Sequence, residues 1–236
     1  MNTILSGRRV TVAAMMLIAA GLFAGNSEAA DKLPTDFNGV WRITNAVTQL
    51  RTADGKEPPL LPEAKQLYEQ RKAQYQKKDT SYDASTVTCK PMGHPRIMYD
   101  SREFPFEIQQ TEKEVFFGYQ WNRLMRYIHI GKPQKVLIPL YFGGSEGKWD
   151  GNTLVAEVQG LHGDTLLDAS GMPHSEDMLL TERYSLKNGG KQMEVRITFN
   201  DPATFSKPWD ALLVFDKVPG GQIEEDVCVE RLKLFK

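Results

Sequence analysis

Apolar and polar residues alternate over short segments through most of the chain, which is the pattern of β-strands with one buried face. The segments with this alternation are 104–109, 115–122, 124–130, 153–158, 179–186 and 193–199. Residues 36–44, 136–142, 211–216 and 226–235 add further strands, for about nine or ten in all. Short strands at this spacing predict an all-β fold, namely an antiparallel, lipocalin-like barrel.

Turn residues separate several of these strands. Asp150-Gly151 predicts a tight hairpin, because both residues tolerate a positive φ, and Asn188-Gly189-Gly190 predicts another turn. Gly39 and Trp41 in the first strand resemble the Gly-x-Trp of lipocalin and wider calycin barrels. In those barrels the Trp seals one end and an Arg from the last strand packs over it, and Arg231 is placed to do so here; the alternative is an ordinary core Trp.

One segment, residues 62–78, has helical rather than strand periodicity. It begins with Pro62, which suits a first helical turn, and its larger residues recur three or four positions apart. The apolar stripe is thin. We therefore predict one surface helix, inserted in the barrel domain, that lies across the surface or covers an opening.

The first residues predict export. Arg8 and Arg9 precede an apolar run at 10–24 that is too short to span a bilayer, and Ser27-Glu28-Ala29 fits a signal-peptidase site. We predict a signal peptide at residues 1–29, a single barrel domain at 30–236, a periplasmic or secreted location and no stable membrane anchor. An oxidising compartment would allow a disulfide between Cys89 and Cys228, with two free buried thiols as the alternative.

The charge balance gives no sign of a polyanionic partner. The chain has 29 basic and 30 acidic residues, a net charge of −1, and no basic patch or acidic tail stands out. Nucleic acid and anionic membranes are therefore poor candidates, and a small molecule is the expected ligand. Phosphate-binding glycine loops, nucleophile elbows and dinucleotide fingerprints do not occur, and no His or acidic spacing is diagnostic of a metal. We predict neither cofactor nor metal.

Acid-base chemistry has more support. Two histidines and several carboxylates lie in the connection between the strands at 153–158 and 179–186. Pro173 stiffens the backbone at His174, and Asp168 is the expected partner that would fix the imidazole tautomer. Glu107 and Glu182 would serve as proton donors if an apolar cavity raised their pKa. The predicted catalytic residues are His174, Asp168, Glu107 and Glu182; the alternative is an acidic loop whose residues form turns and caps.

Ligand-binding residues are predicted from the same strands and loops. Arginines suit the polarisation of a carbonyl, epoxide or carboxylate oxygen, and a strand with aromatics on one face and amides on the other suits a barrel with a wet cavity. The predicted residues are Arg96, Tyr119, Trp121, Asn122, Arg126, His162 and Arg183. For Glu182 and Arg183 the alternative is mutual neutralisation at a barrel end.

Several short motifs recur together in a known group of sequences. They are Cys89-x-Pro91, Pro95-Arg96, residues 105–108, Trp149-x-Gly151-x-Thr153-Leu154, Pro173-His174-Ser175, Thr181-Glu182-Arg183, and Asp201-Pro202 with Pro208-Trp209. With them the chain resembles a broad family of exported bacterial proteins, most of them described as hypothetical. The resemblance implies secretion and a lipocalin-like barrel, and brings almost no biochemistry. Members usually carry a small polar residue where this chain has His162.

Two functions remain. One is a cofactor-free lyase or isomerase that uses acid-base chemistry on a small apolar or aromatic molecule containing oxygen, inside the barrel. The alternative is an exported lipocalin-like protein that binds a small hydrophobic ligand without changing it; a hydrolase is a weaker third, since no nucleophile is marked. A catalytic barrel should place a carboxylate and a histidine within hydrogen-bond reach in one pocket, whereas a carrier should offer an apolar pocket with one polar anchor.

Overall fold

The computed structural model describes residues 33–100 and 102–234, so the predicted signal peptide lies outside the described residues. Nine strands in this part close into one barrel in chain order, which confirms the predicted fold class. The strands are β1 Gly39–Ile43, β2 Phe106–Gln110, β3 Glu114–Tyr119, β4 Met125–Ile130, β5 Gly144–Asp150, β6 Thr153–Gln159, β7 Leu179–Lys187, β8 Gln192–Asn200 and β9 Trp209–Val218.

Neighbouring strands are antiparallel except for β4 and β5, which pair in parallel through His129 with Glu146 and Ile130 with Gly147. Because both strands point the same way, the chain between them must turn back before β5 begins. Residues 131–143, here called the crossover loop, make this return. The strand predicted at 136–142 is therefore wrong: Leu137 and Ile138 lie in the crossover loop and face solvent.

The C-terminal segment is also not a strand. Residues Cys228–Leu234 form helix α3, so β9 is the last strand of the described chain. Arg231 lies 4.9 Å from the ring centroid of Phe104 and does not cover Trp41. That ring instead has the Lys217 ammonium 5.4 Å from its centroid, because β1 and β9 pair with Trp41 opposite Lys217.

Aromatic side chains fill much of the barrel interior. Phe106 contacts Phe117 at 5.9 Å and Phe215 at 5.4 Å between ring centroids, and all three rings are fully buried. Their positions follow the two-residue period of the strands, which sends alternate side chains inward. The interior is therefore a packed core around any polar groups that it contains.

Helix α1, Pro62–Gln76, lies on the outside of the barrel, as predicted, and packs on the β6–β7 loop, residues 160–178. The Tyr68 hydroxyl donates a hydrogen bond to Asp168 at 2.7 Å, and Arg71 donates to the Gly171 carbonyl at 3.1 Å. Gly171 has φ +94°, and a Cβ there would lie 2.7 Å from the Arg71 side chain. Its lack of a side chain lets the helix come this close.

A disulfide joins Cys89 to Cys228, as predicted. It links the chain after the short helix α2, Ala84–Val87, to the start of α3. Across the described ranges, no helix is both long enough and apolar enough to span a bilayer.

Candidate functional site

Five polar side chains meet inside the otherwise aromatic barrel. Their members are His94, Arg126 from β4, Ser145 from β5, and Glu182 and Tyr184 from β7. We call them the interior cluster. All are buried, and because buried polar groups are costly without partners, their mutual hydrogen bonds decide whether this arrangement is stable.

Glu182 is the centre of the cluster. Its Oε2 lies 2.5 Å from Arg126 Nη2 and accepts a hydrogen bond from the Tyr184 hydroxyl at 2.9 Å, while its Oε1 lies 2.5 Å from His94 Nε2. Both oxygens therefore face donors, and the carboxylate is fixed from two sides.

Arg126 uses its planar guanidinium to connect three strands. Besides Glu182, it donates from Nε to the Ser145 hydroxyl and from Nη1 to the Tyr184 hydroxyl, both at 3.1 Å. A guanidinium has five N–H groups. Within the part of the chain that the structure describes, two of them remain for another partner.

His94 reaches the cluster from a loop rather than a strand. Its backbone N–H donates to the Tyr141 carbonyl at 2.9 Å, which fastens the loop to the crossover loop. A carboxylate only accepts, so a neutral His94 donates from Nε2 to Glu182 and carries its lone pair on Nδ1. Among the described residues, that buried Nδ1 has no hydrogen-bond partner.

The cluster sets the charge of each of its members. Burial alone raises the pKa of the Glu182 carboxyl, but Arg126 and then His94 outweigh burial and hold it at about 2. Burial and the Arg126 charge lower the pKa of His94 despite Glu182. For Arg126 burial lowers the pKa, but Glu182 outweighs it, so the net shift is upward. Near neutral pH the cluster therefore holds one carboxylate, one guanidinium and a neutral imidazole.

A groove of about 640 Å³ lies beside β4 and β5, and two members of the interior cluster are among its lining residues. We call it the lateral groove. Arg126 and Ser145 lie on its lining, and apolar side chains make most of the remainder: Pro91, Leu124, Met125, Val136, Leu137, Ile138, Leu140 and Phe142. β4 and β5 pair over only two residue positions, and residues of the crossover loop line the groove beside them.

Of the four predicted catalytic residues, the structure places only Glu182 in the interior cluster. Its pKa is lowered, not raised as predicted, because Arg126 and His94 outweigh desolvation. Glu107 is half-buried on β2, where it accepts a hydrogen bond from Gln109 at 3.1 Å.

His174 and Asp168 are not partners. His174 Nδ1 donates to the Ser175 carbonyl at 2.8 Å and Nε2 lies 2.7 Å from the Thr165 hydroxyl, so both ring nitrogens are occupied. Asp168 accepts from the backbone N–H groups of Leu50 and Met172 and from Tyr68. His174 thus holds the β6–β7 loop in place, and Asp168 joins that loop to helix α1.

The predicted ligand-binding residues are dispersed. Arg126 lines the lateral groove, and the ring of His162 stacks at 5.1 Å on Tyr141, another groove residue. Arg96 is buried between Asp83 and Asp100, whereas Arg183 is exposed and pairs with Asp150 rather than with Glu182.

The three predicted residues at the end of β3 have separate roles. Tyr119 is buried, with its ring 5.7 Å from that of Phe142. Trp121 is buried beneath the Arg102 guanidinium at 5.7 Å. Asn122 accepts from the Cys228 backbone N–H at 3.4 Å, at the start of α3.

Sequence reasoning missed three members of the cluster: His94, Ser145 and Tyr184. Tyr184 was accessible to it, because the two-residue period puts Tyr184 on the same face as Glu182. His94 lies in a loop without periodicity, and Ser145 is a small residue in a weak pattern. Neither carried a signal that would separate it from a surface residue.

A metal site has no support within the described ranges, where no three His, Cys, Asp or Glu side chains lie together in a way that could hold an ion.

No family model matches the sequence, and no curated protein is significantly similar to it. Among solved structures, the chain is similar to the crystal structure of secretory abundant heat soluble protein 4 from Ramazzottius varieornatus. The two share 10% sequence identity over 78% of this chain and 97% of the other, with a TM-score of 0.38. The barrel itself is of a kind compatible with small-ligand binding.

Proposed function

We propose that this protein binds a small, largely apolar molecule in the lateral groove, with an oxygen-bearing end of the molecule on Arg126. The observation that carries the proposal is that the groove is lined mostly by apolar residues yet has Arg126 and Ser145, two members of the interior cluster, among its lining residues. A concave apolar site with a few convergent polar groups is the usual form of a ligand site.

The chemistry of Arg126 defines the ligand end. Its two remaining N–H groups suit a carboxylate, sulfonate or carbonyl oxygen, since a guanidinium donates and never accepts. Glu182 already balances its charge at 2.5 Å. An anionic ligand would therefore share the guanidinium with Glu182, and a carbonyl ligand would bind without a second negative charge.

Two fluorescent probes test this site. Anilinonaphthalene sulfonate has an aromatic body and an anionic end, and N-phenyl-1-naphthylamine has a similar body without the sulfonate. The wild-type protein is expected to bind the sulfonate probe at least about 10-fold more tightly than the neutral probe, since hydrogen bonds to charged groups are each worth about 1.5–3 kcal/mol.

Arg126→Met combined with Glu182→Leu removes the anchor without leaving a charge behind and should abolish that preference. The matched control is Arg183→Met, which removes an exposed arginine from the other face of β7. The proposal fails if the folded double variant keeps the wild-type preference for the sulfonate.

A second candidate function, acid-base catalysis on a molecule that enters the interior cluster, is favoured by His94. Its Nε2–H is held by Glu182 and its Nδ1 lone pair has no partner among the described residues, which is the arrangement of a carboxylate-oriented base. In such a reaction Nδ1 takes a proton from carbon next to a carbonyl, the electron pair moves to the carbonyl oxygen, and Arg126 stabilises the enolate. Return of the proton to another position gives an isomer, and departure of a leaving group gives elimination.

Exchange of hydrogen for deuterium tests this second function without knowledge of the substrate. The protein is incubated with an aromatic ketone such as phenylacetone in deuterated water, and NMR follows loss of the protons next to the carbonyl. Exchange above the buffer rate that disappears in His94→Gln supports catalysis. Probe binding without exchange identifies a carrier, the non-catalytic alternative.

A further inference from the structure

An exposed apolar surface surrounds the mouth of the lateral groove. Leu137 and Ile138, at the outside of the crossover loop, are 80% and 69% exposed, and Met125, Tyr127 and Leu140 beside them are exposed as well. We call these five residues the loop patch, and all of them line the groove. Contiguous apolar exposure of this kind marks a surface that meets another apolar phase.

The chain segment that contains the loop patch has formal charges of one sign, although Glu114, just before it, pairs with the groove residue His129 at 3.1 Å. Residues 115–145 contain no Asp or Glu, and their cations outside the barrel are Arg123, Lys132 and Lys135, all exposed. The chain as a whole has a net charge of −1. Lys132 and Lys135 thus lie in the same crossover loop as the exposed Leu137 and Ile138.

The other flank of the crossover loop has the opposite character. There a separate depression is lined by Glu146 and Glu157, of which Glu157 pairs with Lys148 at 3.0 Å. Lys135, which lines the groove, favours an anionic partner on that side, whereas Glu146 and Glu157 disfavour one in the depression.

We propose that the loop patch docks on an anionic phospholipid surface. Leu137 and Ile138 enter the boundary between headgroups and acyl chains, while Lys132 and Lys135 meet lipid phosphates. Apolar side chains beside lysines are the combination that holds proteins at this boundary. The net charge of the whole chain gave no sign of an anionic membrane as a partner. It is a sum over all residues, however, and does not show where charged residues lie.

Docking in this orientation turns the groove mouth toward the lipid. An apolar molecule would then pass between the bilayer and the groove without crossing water. The docking proposal goes beyond the proposed function and does not depend on it, because the loop patch and its lysines exist whether or not the groove is occupied.

Vesicle sedimentation tests the proposal with the purified protein. Vesicles of phosphatidylcholine alone are compared with vesicles that also contain phosphatidylglycerol, at low and at high salt. We expect binding to the anionic vesicles that weakens with salt. Leu137→Asp with Ile138→Asp should weaken it about 10-fold or more, and Lys132→Gln with Lys135→Gln by a similar factor.

The matched control is Leu212→Asp, an exposed leucine on β9, which should bind vesicles as the wild type does. All these positions are exposed, so circular dichroism should show the wild-type fold in each variant. Equal binding by the loop-patch variants and the wild type overturns the proposal. So does a dimer in the absence of vesicles that the Leu137 and Ile138 changes convert to monomer, with no vesicle binding by either.

The two proposals fail separately. Arg126→Met with Glu182→Leu changes the probe preference and leaves the loop patch intact, so it should sediment with anionic vesicles as the wild type does. Loss of vesicle binding in that folded variant would contradict docking through the loop patch.

Discussion

The Glu182 carboxylate and the Arg126 guanidinium form an ion pair inside the barrel, 2.5 Å apart and with both side chains shielded from solvent. Desolvation of two charges offsets much of their attraction, so such a pair contributes little net stability compared with apolar residues of similar size. Breaking it is different, because one charge is then left buried without a partner.

Arg126→Met should therefore lower the free energy of unfolding by about 3–5 kcal/mol, since Glu182 is left uncompensated. Adding Glu182→Leu should restore most of that loss. Urea unfolding followed by circular dichroism measures both. The exposed pair of Arg183 with Asp150 is the control, and Arg183→Met should change stability by about 1 kcal/mol or less. A single variant as stable as the double variant would contradict this account of the pair.

The sequence predicts one member of the Glu182–Arg126 pair better than the other. Alternation along β7 places Glu182 on the face of Leu180 and Tyr184, and that prediction is confirmed. The partner was not predictable in the same way, because Arg126 lies on β4 and the closure of the barrel decides which strands face each other. The alternative of neutralisation by Arg183 was wrong, since adjacent strand residues point to opposite faces and Arg183 pairs with Asp150.

Apolar runs without a clear period caused the errors in the fold. Residues 136–142 and 226–235 both look like strands, yet one is the crossover loop and the other contains α3. Short apolar segments do not distinguish strand from helix or loop by pattern. The first segment joins the parallel strands β4 and β5, and the second begins near the disulfide-bonded Cys228; both are long-range relationships that a local pattern does not contain.

Stability should fall as the pH drops below about 6.5. Burial lowers the pKa of His94 and of His174 from the ordinary 6.5, so below that pH the unfolded chain binds protons that the folded chain does not. The free energy of unfolding then rises with pH through this window and gains nothing more from these groups above it.

Urea unfolding at a series of pH values measures this slope, and His174→Gln should flatten it. Asp168 contributes a slope of the opposite sign, because burial raises its pKa. Each variant is therefore compared with the wild type at the same pH values. An unchanged slope in His174→Gln would show that His174 does not titrate as its burial implies.

The disulfide should account for a large part of the stability. Cys89 and Cys228 are 139 residues apart, and a covalent link over so long a loop restricts the unfolded chain strongly. Cys89→Ser with Cys228→Ser should cost about 2–4 kcal/mol, measured by urea unfolding without reductant. Reduced wild-type protein should match the variant, and a difference between them would point to an effect of the serines themselves.

Asp168 should prove structural, and the magnitude of its effect tests the assignment. Its carboxylate accepts hydrogen bonds from Leu50 N–H at 2.9 Å, Met172 N–H at 3.1 Å and Tyr68 hydroxyl at 2.7 Å. Asp168→Ala leaves these buried donors without an acceptor, at about 1–3 kcal/mol each. We expect a total loss of about 3 kcal/mol or more.

Helix α1 should then loosen, because Tyr68 is its buried contact with the β6–β7 loop. Hydrogen exchange measured by mass spectrometry would show that Pro62–Gln76 exchanges faster in Asp168→Ala than in the wild type, with a smaller change in the β-strands. The matched control is Asp164→Ala in the same loop, where the side chain is 71% exposed, and it should leave both stability and exchange near wild type. The catalytic assignment of Asp168 would be restored if Asp168→Ala kept the wild-type stability but changed the rate of deuterium incorporation into a ketone substrate. A residue that only holds the loop in place should instead lower the stability.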